Sequence, residues 1–214
     1  MAARSNNSTT ASLESLSRLT GGGVIVDIGT GDGRFVYESA KENPEKFFIG
    51  IDPNTKPLEK VSMKATRKPM KGGVANVLFV RAAIEELPSE LDNTADEIHI
   101  HFPWGSLLGG IVDGDERILR SLHRISAPGC LLEVVIGFDR ERDRRELERL
   151  GISKFSLDYV RNTLVMRYEA ARMKVKEVGV LEKGKWTRLH SSWARRLSSN
   201  DAREVVYFIA EAQK

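Results

Sequence analysis

Cysteine is nearly absent from this chain. Cys130 stands alone among 214 residues, which excludes an internal disulfide and fits a reducing cytoplasm. Its neighbours Gly129, Leu131 and Leu132 are apolar, so it reads as an inert core thiol. There is no run of about 18 apolar residues and no charged-then-apolar leader, so neither a membrane span nor a signal peptide is expected. Internal repeats are missing too, and so is low complexity beyond the polar first dozen residues. A chain of this length fills one domain with a sizeable core, and a cytoplasmic monomer is the expectation.

Net charge is only +3, but the positive charge is uneven. Lys183, Lys185, Arg188, Arg195, Arg196 and Arg203 fall in one stretch that holds a single acid, Asp201. A second knot is Lys64, Arg67, Lys68 and Lys71. Either cluster alone reads as a solvated surface; together they suggest a surface that faces phosphates.

Residues 1–20 read as a polar extension with a short helix carried by Leu13, Leu16 and Leu19 and stopped by Gly21–Gly23. From residue 21 strand and helix signals alternate. Strands are expected at 24–28, 46–51, 76–82, 97–102 and 131–138, and helices at 34–43, 55–68 and 115–126. This alternation argues an α/β domain, a parallel sheet covered on both faces, over residues 21–214. A helical insertion at about 139–172 interrupts it, and strands near 173–182, 185–190 and 204–210 finish the chain. Leu157, Val160, Leu164 and Tyr168 have the spacing of a helix packed on the sheet, and the mixed charges of 139–149 read as a solvated helix or lid.

The first strand runs directly into Asp27-Ile28-Gly29-Thr30-Gly31-Asp32-Gly33-Arg34. Such glycines let a backbone turn sharply and approach a ligand closely. A dinucleotide loop wants G-x-G-x-x-G, and Arg34 at the sixth position spoils that reading. Acid followed by G-x-G-x-G is similar to the class I S-adenosylmethionine-dependent methyltransferases, which also place an acid for the ribose at the end of the second strand; here that is Asp52.

The segment ADEIHIHFPWGSLL (95–108) bears on the substrate. Methyltransferases acting on exocyclic amines often place an Asp or Asn before the prolines to accept a hydrogen bond from the amine. Phe102 holds that position and cannot accept one. A ring nitrogen with an in-plane lone pair, such as adenine N1, needs no acceptor and no base, only alignment. That atom lies on the Watson–Crick edge, so the base has to leave its stack. Trp104 offers one π face and Trp193 a second, whereas Trp186 reads as core packing.

With these residues in place the chain resembles the aminoglycoside-resistance 16S rRNA methyltransferases of the kanamycin–apramycin type, which methylate N1 of adenine 1408 in the decoding site of the 30S subunit. The likeness covers about residues 24–208, through DIGTGDGR (27–34), IGIDP (49–53), KPMKGG (68–73), AAIEELP (82–88), FPWGSLL (102–108) and SSWARRL (191–197). It implies a class I fold, a Rossmann-like, mostly parallel seven-stranded sheet with its last strand antiparallel. It implies S-adenosylmethionine as cofactor, released as S-adenosylhomocysteine, and the 30S subunit as partner. By the same resemblance Asp27, Gly29, Gly31, Asp52, Ala83, Glu85 and Ser106 hold the cofactor. Trp104 and Trp193 sandwich the flipped adenine, with Pro103 shaping the turn and Ser191 ordering the second loop. Arg67, Lys68, Lys71, Arg195, Arg196 and Arg203 hold rRNA phosphates.

Two other readings compete. A tRNA guanine-N7 methyltransferase shares the loop but normally has Asp before Pro-Trp, where this chain has Phe102. An RNA-binding protein that uses S-adenosylmethionine only as a structural ligand would keep the same loop. No metal is expected, because His99 and His101 share a strand face without an evident third ligand.

Overall fold

The structure is a computed structural model and describes residues 21–153, 155–181 and 205–214. β1 (Val24–Ile28) and β2 (Phe47–Ile51), apolar but for Asp27, are buried along their whole length, as strands covered on both faces are. β3 (Val77–Val80) pairs outside β2 and is half-buried. β4 (Ala95–His101), β5 (Ser126–Gly137), β6 (Met173–Val180) and β7 (Val205–Ala212) lie on the other side of β1. The sheet order is β3-β2-β1-β4-β5-β7-β6. The first five strands are parallel, and β7 sits antiparallel between β5 and β6. Chain order reverses between β1 and β4, and open α/β sheets bind ligands outside the carboxyl ends of strands at such a switch.

Helices cover both faces. α1 (Arg34–Glu42) buries Val36 and Ala40 against Ile25 and Phe48, and α2 (Glu59–Ala65) follows β2. On the opposite face α3 (Gly105–Asp113) and α4 (Glu116–Ile125) bring Leu108, Ile111, Ile118 and Leu122 onto Ile98 and Ile100. α5 (Arg144–Arg149) is short. α6 (Leu157–Tyr159) continues through a π turn, Val160–Leu164, into α7 (Val165–Ala170). Val160, Leu164 and Tyr168 are buried there, and the Tyr168 ring meets Phe208 of β7 edge-on at 4.9 Å. These residues pack on the sheet as their spacing predicts.

Three elements differ from the sequence pattern. α3 goes unpredicted because Gly109 and Gly110 depress its helix propensity. Their role is packing: a Cβ on Gly110 would lie 2.2 Å from the Ile118 side chain of α4. The helix expected at 55–68 contracts to α2, since residues before Glu59 form turns, with Leu58 N donating to Thr55 O at 3.0 Å. β5 starts early, at Ser126 opposite Ala95, and its register shifts before Leu131 meets Glu97. The strand expected at 185–190 and the extension 1–20 lie outside the described residues.

Candidate active site

The loop after β1 is held in a left-handed course, with φ of 74° at Gly29, 60° at Gly31 and 69° at Gly33. Glycine takes this backbone without steric cost. Gly29 N and Thr30 N donate to Ile51 O at 2.8 and 3.1 Å, which ties the loop to the end of β2. Asp52 stands one residue beyond. Its Oδ2 accepts from Gly31 N at 2.9 Å and its Oδ1 from Asn54 N at 2.8 Å. A carboxylate has about four lone-pair sites, so this one is fixed in place and still able to accept from a pair of hydroxyls.

Asp27 is buried inside β1. Burial pushes its carboxyl above the ordinary range, and the imidazoles of His101 and His99 pull against that rise. The Thr30 hydroxyl also lies near the carboxylate and weakens the rise, but outside hydrogen-bonding geometry.

At the end of β4 the alternation stops at Phe102. Its φ is +50°, a conformation that costs a bulky residue about 1–3 kcal/mol. Phe102 N donates to Val135 O at 2.7 Å, and the ring is buried with Val135 and Val205, which holds the strained turn. The turn buries Pro103 and places Trp104, 42% exposed, at the N-terminus of α3. Ser106 is exposed in the first turn of that helix.

These pieces converge. One cavity of about 230 Å³ is lined by Asp27, Gly29, Gly31, Asp52, Pro103, Trp104 and Ser106, with Thr30, Phe35 and His101 among the others. Two polar atoms on its lining residues, Thr30 Oγ1 and His101 Nδ1, are buried without a hydrogen-bond partner, as suits a wall built for a polar ligand. A second cavity, of about 340 Å³, opens where β5 ends, between Phe138, Arg140, Phe155 and Val206.

Not every predicted residue meets there. Ala83 precedes the short turn Ile84–Glu86 after β3, Glu85 is exposed on that turn, and neither lines the cavity. Arg67, Lys68 and Lys71 are exposed after α2 on a tight loop. Gly73 N closes it on Lys68 O at 3.1 Å, and a Cβ on Gly73 would overlap Arg67 O at 1.6 Å. Tyr37 of α1 donates its hydroxyl to Gly72 O at 2.7 Å. Ser191, Trp193, Arg195, Arg196 and Arg203 lie outside the described residues. The pairing of β4 with β5 reveals what the sequence pattern hides: Glu133 stands opposite His99 as a third ligand-type group beside the two histidines.

A family model described as NpmA, 16S rRNA (adenine(1408)-N(1))-methyltransferase, matches residues 5–212. The chain belongs to this family. A member from Escherichia coli is 36% identical over 179 residues, which cover 82% of this chain and 80% of the relative. Among crystal structures, a tryptophan-to-alanine variant of the 16S rRNA (adenine(1408)-N(1))-methyltransferase from Catenulisporales acidiphilia, solved with S-adenosylmethionine, superposes with a TM-score of 0.86 at 32% identity. That match covers 99% of this chain and 93% of the other. The aminoglycoside resistance methyltransferase NpmB1 is 41% identical with a TM-score of 0.76, over 92% and 93% of the two chains. The 16S rRNA (adenine(1408)-N(1))-methyltransferases are S-adenosylmethionine-dependent transferases, and the sheet order here is their class I fold. No helix among the described residues is long and apolar enough to cross a membrane.

Proposed function

We propose that this chain methylates N1 of adenine 1408 in 16S rRNA of the assembled 30S subunit, as a monomer, with the base flipped between Trp104 and Trp193, and that this methylation confers aminoglycoside resistance. The observation that carries the reading is the shared cavity: the glycine loop, Asp27 and Asp52 line it together with the exposed Trp104. Bound there, S-adenosylmethionine supplies an electrophilic methyl group on a sulfonium. Asp27, the Gly29–Gly31 backbone, Asp52 and Ser106 would hold it, with Ala83 and Glu85 beside the adenine end.

A base nitrogen such as N1 would need only in-line alignment with that methyl group, so this chain's residues would position the base and would have no proton to remove. Phe102, buried and without a hydrogen-bond acceptor, suits such a nucleophile and not an exocyclic amine. Extruding the base costs a few kcal/mol, and each aromatic face returns about 1–3 kcal/mol by stacking, so two tryptophans suffice where one breaks even. Their π faces also favour the positive charge that develops. Arg67, Lys68 and Lys71, with Arg195, Arg196 and Arg203, would grip the rRNA around the base, and Ser191 would order the segment that carries Trp193.

Reverse transcription across 16S rRNA from 30S subunits treated with the protein and S-adenosylmethionine tests this. A cofactor-dependent stop at adenine 1408 is expected, because a methyl on N1 blocks pairing. Methyl transfer into tRNA without that stop would favour guanine-N7 chemistry, and subunit binding without any transfer would favour a non-catalytic role.

A further inference from the structure

Among the described residues, a group of titratable side chains spans β4 and β5 outside the cofactor-holding residues. Three atoms there converge on one point. His99 Nδ1 lies 3.3 Å from His101 Nε2 and 3.0 Å from Glu133 Oε2, and His101 Nε2 lies 2.7 Å from the same Oε2. We propose that His99, His101 and Glu133 form a binding site for one divalent first-row metal ion of the zinc class, on the sheet face beside the cofactor cavity.

Ligands at zinc's usual bond lengths stand roughly 3.3 Å apart around a tetrahedron. The two nitrogens already have that separation, and an outward shift of the carboxylate oxygen by roughly half an ångström completes the set. Two imidazoles and a carboxylate are the donor chemistry of zinc and its neighbours. The surroundings fit as well. Metal-bound imidazoles usually turn their second nitrogen to a carboxylate. His99 Nε2 faces Glu97 Oε2 at 3.5 Å, and Lys46 holds Glu97 at 2.9 Å. The Phe35 ring walls the histidines at centroid distances of 5.3 and 4.9 Å. Side-chain exposures of 16% for His99, 4% for His101 and 33% for Glu133 leave one side open, where water completes the coordination.

Without an ion, the two ring nitrogens share one carboxylate oxygen. Burial opposes charge on His99, yet the bonds to Glu133 and Glu97 outweigh it and carry that imidazole up to about 9. Metal and proton therefore compete for the same lone pairs. The ion has no step in methyl transfer. It clamps β4, two residues before Pro103, to β5, and so braces the strand end that carries Trp104.

The test is calorimetric titration of the tag-free, chelator-stripped full chain with zinc chloride, with cobalt(II) absorption as a second reading. One ion per chain is expected, with the intense visible bands of a tetrahedral cobalt site. His99→Ala and Glu133→Gln should each weaken zinc binding by about tenfold or more. Circular dichroism of the metal-free variants checks that they fold. Should His99→Ala fail to fold, Glu133→Gln, which preserves volume and one acceptor oxygen, carries the comparison with the cobalt spectrum. Absence of saturable binding to the unaltered chain overturns the proposal. So does equal affinity in the variants, which would leave the three residues as a hydrogen-bonded network.

Discussion

Ile98 and Ile100 are wholly buried on one face of β4 against Leu108 and Ile111, whereas His99 and His101, each one residue along, stand beside Asp27 and Glu133 on the other. The two faces answer to different physics. On the first, dispersion and water exclusion act on side chains that fit only in bulk. On the second, polar groups settle against one another: Glu133 of β5 meets both histidines, and Asp27 of β1 acts on them through its charge. The period of two along a strand is what lets neighbouring residues serve such opposed tasks. At the carboxyl end, Phe102 breaks that period with a left-handed backbone and so delivers Trp104 to the surface.

The comparison breaks most severely from the apolar side. Ile100→Ala should cost about 2–5 kcal/mol in urea unfolding, because the cavity it leaves lies between a sheet and two helices that cannot both close on it. A loss below the cost of a single methylene would mean that this face packs more loosely than its burial shows.

At the strand end the expected loss is in rate. Trp104→Ala should lower methyl transfer to 30S subunits by roughly five- to 150-fold, the worth of one stacking face, with a smaller fall in S-adenosylmethionine affinity. Equal losses in both would make Trp104 a wall of the cofactor cavity and not a platform for the base. Smaller still is Lys71→Ala. One phosphate contact removed from an exposed loop should reduce the salt slope of subunit binding by about 0.7–0.9, and an unchanged slope would take Lys71 out of the contact set.

The last prediction sharpens the apolar side and expects almost nothing. Cys130 follows the core parity of β5, is fully buried, and burial pushes its thiol up to about 11. It should resist thiol reagents in the native protein and react on denaturation. Rapid native labelling would show that this edge of the core opens.

Sequence alone determined whatever depends on neighbours in the chain. Apolar runs marked β1 and β2, alternation marked β4, and glycines at 29, 31 and 33 marked a loop whose φ angles other residues resist. The motif from Phe102 to Trp104 was legible for the same reason: turn chemistry is local. Tertiary structure decided what depends on distant partners. α3 exists despite its glycines because closeness to Ile118 repays the lost propensity, a gain no window of α3's own residues contains. Asp52 acquires its orientation from Gly31, a residue of the preceding crossover. Glu133 joins His99 and His101 only through the register of β4 against β5, and a shift of one residue would turn it to the other face.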